Sequence, residues 1–158
     1  DDLESDLSEW ETDNIETDWQ SGSPSGTPAS AFSGDNVFGT MLESPFNPNS
    51  FSSLHSPVID LTEVNQTKNL FLTFRYFLDI DTDGAGAFVN LVDESGVVIA
   101  ADLTILAGST KDWKGILVAI PEAAKGTKFK IEWLFFSDDF ESQGSGVFID
   151  DIGIELAP

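Results

Sequence analysis

Residues 128–136, KFKIEWLFF, place Phe129, Ile131, Trp133 and Phe135 on one side of an extended chain and Lys128, Lys130 and Glu132 on the other. Neighbouring residues of a strand point to opposite faces, so a repeat of two predicts a half-buried strand with one wet face. The same repeat runs through LFLTFRYFLDI (70–80), where Leu70, Leu72, Phe74, Tyr76, Leu78 and Ile80 share a face opposite Thr73, Arg75 and Asp79. AFVNLV (87–92) turns at DESG into VVIA, GILVAI (115–120) stops at Pro121, and GVFIDDIGIEL (146–156) closes the chain. In that last stretch, strict alternation sets Phe148, Asp150, Ile152, Ile154 and Leu156 against Val147, Ile149 and Asp151.

The first sixty residues are less regular. Segments 21–30 and 44–57 read as loops rich in Pro, Gly and Ser, with short strands expected in NVFGTM and SPVIDL. Residues 1–20 hold nine acids and no base, yet Leu3, Leu7, Trp10 and Trp19 argue against a solvated tail, and the first three also fit a short helix. Many short strands with Gly and Pro turns predict an all-β chain: a two-sheet antiparallel β-sandwich with jelly-roll topology, one domain over 1–158.

Charge narrows the partners. Twenty-eight acids against seven bases give a formal net charge of -21, which repels phosphate backbones and anionic lipid headgroups and favours cations. Nucleic acid and membrane insertion are not expected, since no apolar run approaches the roughly 18 residues of a spanning helix. Without cysteine there are no disulfides, thiolate metal sites or cysteine nucleophiles. The single histidine, His55, has no Gly-x-Ser-x-Gly elbow to serve, and phosphate loops and His-based zinc motifs are absent. The chain is expected not to be an enzyme.

Two acidic stretches invite a metal. DIDTDG sets Asp79, Asp81 and Asp83 at alternate positions before Gly84, as an EF-hand loop begins, but its ninth and twelfth positions are Ala87 and Asn90 and its flanks are strands. A turn between strands, with Asp79, Asp81 and Asp83 as weaker cation ligands, survives; SDDFE (137–141) is a second acidic loop. Asp150 and Asp151 are adjacent in a strand, so one must face the interior, where a lone carboxylate costs several kcal/mol. Backbone amides, Arg75 or a hard cation such as calcium could meet that cost, and one bulge would exchange the two aspartates.

The order DLESDLSEWETD, DWQSGSP, FSGDNVFGTML, SSLHSPVIDL, LFLTFRYF, DWKGILVAI, FKIEWLFFSDD and GVFIDDIGI resembles the galactose-binding-like jelly-roll accessory domains of immune inhibitor A proteases, MAM domains and cleaved adhesins. The resemblance implies a non-catalytic module of a secreted or cell-surface bacterial protein, a protease or adhesin, whose partners are neighbouring domains of the same polypeptide and a glycan or protein surface. It also implies a structural Ca2+ between the start of the domain and its last strand, carried here onto Glu4, Asp150 and Asp151, with Asp35 weaker. A carbohydrate-binding module is the alternative. Trp10, Trp19 and Trp113 are its candidate aromatics, Trp113 lying nearest a turn, although packing at sheet edges is the simpler role for all three.

Overall fold

The computed structural model describes residues 1–13, 17–65, 67–81, 83–141 and 144–156. Among them eleven strands form two antiparallel sheets. They are β1 (Glu11–Thr12), β2 (Trp19–Gly22), β3 (Val37–Thr40), β4 (Phe51–His55), β5 (Ile59–Asp60), β6 (Leu70–Asp79), β7 (Gly86–Val92), β8 (Val98–Leu106), β9 (Lys114–Ala119), β10 (Lys128–Phe136) and β11 (Gly146–Leu156). The first sheet has the order β1-β4-β10-β7-β8 with β5 also paired to β10; the second has β2-β3-β11-β6-β9. The result is an all-β jelly-roll sandwich whose one helical piece among the described residues is the short 3-10 turn Glu122–Ala124.

The alternation in β10 sets the core. Phe129, Ile131, Trp133 and Phe135 are all completely buried, and they meet Leu72 and Phe74 of β6 across the sandwich, with the Trp133 and Phe74 rings edge to face at 5.7 Å. Trp10 closes this core from the N-terminal side, stacked on Trp133 at 5.9 Å and tilted against Phe38. Residues 1–13 thus pack as irregular chain ending in β1, and not as a helix.

Three expectations shift. The 44–57 segment is not all loop: its prolines sit outside Phe51–His55, which pairs with β10 in the register Trp133↔Leu54. Serines hide that strand, because Ser52 and Ser53 are buried yet polar. The last three residues of VVIA, Val98 to Ala100, open a nine-residue strand that continues to Leu106 through Asp102 at φ 52. In β11 the register slips between Asp150 and Gly153, with Asp151 at φ 48. That bulge sends Ile152 into the core beside Val147 and Ile149, whereas Phe148 packs outside the sheet with Ala31, Val37 and Phe77.

Trp133 carries a buried indole N–H with no hydrogen-bond acceptor among the described residues. Trp133→Ala is expected to cost about 3–5 kcal/mol in chemical denaturation. Trp133→Phe should cost far less, because it removes the orphaned donor, worth about 1–3 kcal/mol, along with some volume.

Candidate functional site: an acidic clasp and a polar sheet face

The bulge in β11 presents two carboxylates to the 32–36 loop. Asp150 is fully buried. Its Oδ2 accepts the N–H groups of Phe32 at 2.9 Å and Ser33 at 3.0 Å, and its Oδ1 accepts the N–H of Asp151 at 2.7 Å. Asp151 accepts the Ser33 hydroxyl at 2.7 Å. From the other side Glu4 accepts the N–H groups of Asp35 at 2.9 Å and Asn36 at 2.6 Å, together with the Asn36 side-chain amide at 3.0 Å. Gly34, at φ +57, permits this approach: a Cβ there would lie 2.4 Å from the Glu4 carboxyl carbon. Asp1 completes the clasp through paired backbone bonds with Ile152, at 2.5 and 2.9 Å.

Glu4, Asp35, Asp150 and Asp151 therefore gather around one loop. Backbone amides, and not Arg75, cap Asp150; Arg75 lies opposite it in register but holds its guanidinium over the Phe32 ring, 4.4 Å from the centroid. Burial pushes the Asp150 carboxyl above its ordinary value, its amide bonds oppose that shift, and the neighbouring Asp151 charge adds to it. The carboxylate oxygens here are of the kind that suits a hard cation. Among the described residues, however, no three His, Cys, Asp or Glu side chains converge as a ready-made cage.

The other predicted positions lie apart. Asp79 accepts the Ser145 N–H at 2.9 Å, Asp81 and Asp83 are exposed, and Thr82 between them is outside the described residues. Asp138 of the SDDFE loop donates its N–H to the Gly84 carbonyl, and a Cβ at Gly84 would sit 1.7 Å from its carboxylate. The tryptophans pack. Trp113 donates to the Ser30 carbonyl at 3.1 Å, meets Phe32 edgewise and lies tilted against Phe77, Trp10 donates to Asp1, and Trp19 donates to the Ser52 carbonyl.

A second polar cluster lies on the outer face of the β10 sheet. Glu132 accepts the Ser53 hydroxyl at 3.0 Å and the Asn90 amide at 2.7 Å, and pairs with His55 Nε2 at 3.2 Å. Asn90 in turn accepts the Asp102 N–H at 2.9 Å. His55 holds the Glu132 carboxyl below its ordinary value, against desolvation and aided by Asn90 and Ser53. The Ser53 hydroxyl goes to Glu132 and not to His55, so the histidine does not sit as base to a serine nucleophile. Further along the same face Phe88 stacks on Phe136 at 4.9 Å, and Phe136 stands opposite Phe51, which is 75% exposed. Sequence periodicity marked Glu132 only as wet surface; its partners come from strands forty residues or more away and carry no local signal.

No protein-family model matches the chain, and no curated protein sequence does. Solved structures do. The K1 cleaved adhesin domain of Lys-gingipain from Porphyromonas gingivalis W83 is superposable over 100% of this chain and 97% of its own, with a TM-score of 0.63 at 15% identity. The fold is the galactose-binding-like jelly roll. Two carbohydrate-binding modules share it. The CBM22-1 xylan-binding domain from Paenibacillus barcinonensis Xyn10C has a TM-score of 0.54, 12% identity and coverage of 98% and 90%. The C-terminal CBM6 of a marine laminarinase from Zobellia galactanivorans has 0.51, 16%, and 91% and 90%. No helix among the described residues is long and apolar enough to cross a membrane.

Asp150→Ala strands three amides and is expected to cost roughly 2–5 kcal/mol in urea denaturation, against about 1 kcal/mol for Ser33→Ala. Glu132 gives a pH signature of definite sign. Its folded value lies below the ordinary 4.5, so its contribution is full above 4.5 and is lost as pH falls through the folded value. Stability curves against pH should show that acid loss in the native protein and a smaller one in Glu132→Gln.

Proposed function

We propose that this chain is a non-catalytic module that binds neutral carbohydrate through the outer face of the β10 sheet and is stiffened by calcium at the acidic clasp. One observation carries the binding role: an aromatic row, Phe51, Phe136 and Phe88, runs beside a hydrogen-bonded polar row, His55, Glu132 and Asn90, on the outer face of one sheet, where Phe51 is exposed, Phe88, Phe136, His55 and Glu132 are partly so, and Asn90 is buried. Flat apolar rings match the C–H faces of sugars, and the polar row matches their hydroxyls. The net charge of -21 disfavours anionic polymers. Likeness of fold to xylan-binding and CBM6 modules supports the same ligand class.

The clasp supports calcium because it joins the first residues, the 32–36 loop and the last strand through carboxylates that take amide and hydroxyl donors, while the nearby Arg75 guanidinium lies over the Phe32 ring. Glu4, Asp35, Asp150 and Asp151 would hold the ion, replacing part of the unfavourable desolvation with a hard cation's charge. At a thousandfold above its dissociation constant, calcium would add about 4 kcal/mol. Such a module belongs on a secreted or cell-surface bacterial polypeptide, a protease or adhesin, placing its neighbouring domains against a glycan surface.

Two measurements test this. Affinity electrophoresis on soluble xylan and laminarin should show retardation, weakened about tenfold, or about 1.4 kcal/mol, in Phe88→Ala and Phe136→Ala; a folded protein that neither polymer retards contradicts the binding role. In thermal unfolding, millimolar calcium should raise the melting temperature well beyond magnesium, with the gain lost in Asp151→Asn. Equal melting in calcium, magnesium and EDTA would remove the metal from the account.

A further inference from the structure

A second cleft, of about 970 Å3, opens where β2, β4 and the 47–50 loop meet; it shares Phe51 with the aromatic row but includes none of His55, Glu132 and Asn90. At its floor lies Asp18, only 3% exposed. Its Oδ1 accepts the Asn47 side-chain N–H and its Oδ2 accepts the Ser50 hydroxyl. A carboxylate has about four acceptor sites, so two neutral donors leave part of its capacity unused. Among the described residues lining the cleft none is basic; the other ionisable group is Asp13, which accepts the Ser53 N–H at 2.8 Å. Burial raises the Asp18 carboxyl above its ordinary value and the Asn47 bond opposes this, as expected for a desolvated charge without a countercharge.

The walls point to an organic ligand. Gln20 accepts the Leu42 N–H at 2.9 Å through its carbonyl oxygen, which turns its NH2 group free for an acceptor. Asn47 spends its NH2 on Asp18 and keeps its carbonyl oxygen. Asn49 adds another amide to the lining, and Phe51 stands exposed at the rim. Paired amide donors and acceptors beside a ring suit a pyranose, while the buried carboxylate suits a primary ammonium with its three N–H donors. A bare metal ion would need six to eight oxygens at close range and leaves this volume unfilled. A neutral sugar leaves the Asp18 charge uncompensated.

We propose that the Asp18 cleft is a second binding site, specific for an amino sugar whose unacetylated amine sits on the Asp18 carboxylate with its ring against Phe51. Titration calorimetry at pH 6 in physiological salt, with the glucosamine trimer, the N-acetylglucosamine trimer and N-acetyl-lysine amide, tests it. The glucosamine trimer should bind at least tenfold more tightly than either other probe, and Asp18→Asn should abolish that preference. Because Asp18→Asn removes one acid of twenty-eight, general attraction between an acidic protein and a cationic oligomer would survive it. Phe51→Ala, at an exposed position, should weaken both sugars alike in a folded protein. In the native protein, amide shifts on titration should centre on residues 47–52, a readout independent of any variant's folding. Equal affinity for amine and acetylated sugars, equal binding of the lysine amide, displacement by calcium, or shifts scattered over the surface would each overturn the assignment.

Discussion

A buried carboxylate that accepts main-chain amides organises this sandwich. Asp150 is placed by the bulge in the last strand, and through the Phe32 and Ser33 amides it pins the loop that covers the outside of the second sheet. Glu4 grips the same loop three residues on, and Asp1 binds Ile152, so the first residues, the last strand and the covering loop meet at one point. Hydrogen bonds to the ionised form, which are stronger than those between neutral groups, offset part of the cost of burying the charge. A chain with seven bases cannot neutralise twenty-eight acids by ion pairs. It uses many of them as amide acceptors: Asp6 for Ser8, Asp93 for Ser95 and Val97, and Asp60 for Thr62, whose bonds, with the paired Lys128, hold the Asp60 carboxyl down to about 2.

Sequence legibility followed burial on one face. β6 and β10 were readable residue by residue because each buries one side and wets the other. β4 was not, because a strand can place serines in the interior when their hydroxyls find partners, as Ser52 does with Thr17. β11 was readable as a strand but not in its facing, since a bulge leaves no mark on composition and reverses every side chain beyond it. The need for a partner at Asp150/Asp151 was visible; that the partner would be the 32–33 amides depended on a contact 117 residues or more away in sequence. Glu132 and Asp18 gave no local cue, because their surroundings are assembled from several strands and loops.

The architecture separates the clasp from the proposed binding face. The clasp joins the first residues, the last strand and the covering loop on the second sheet, whereas the aromatic and polar rows occupy the outer face of the first. Paired strands hold His55, Glu132 and Asn90 in register, so a ligand bound there as proposed would meet groups already fixed by hydrogen bonds, with little ordering left to pay for. The Asp18 cleft borders that face at Phe51 and differs in chemistry: a desolvated charge at its floor in place of a row of shared neutral and ionic bonds.

Native-state hydrogen exchange of backbone amides tests the clasp most directly. If Asp150 and Glu4 hold the loop as described, the amides of Phe32, Ser33, Asp35 and Asn36 will be protected although they lie outside any strand, and that protection will vanish at Phe32 and Ser33 in Asp150→Ala while β6 and β10 stay protected. Exchange of these four amides at free-chain rates in the native protein, beside slow exchange in β6 and β10, would contradict the account.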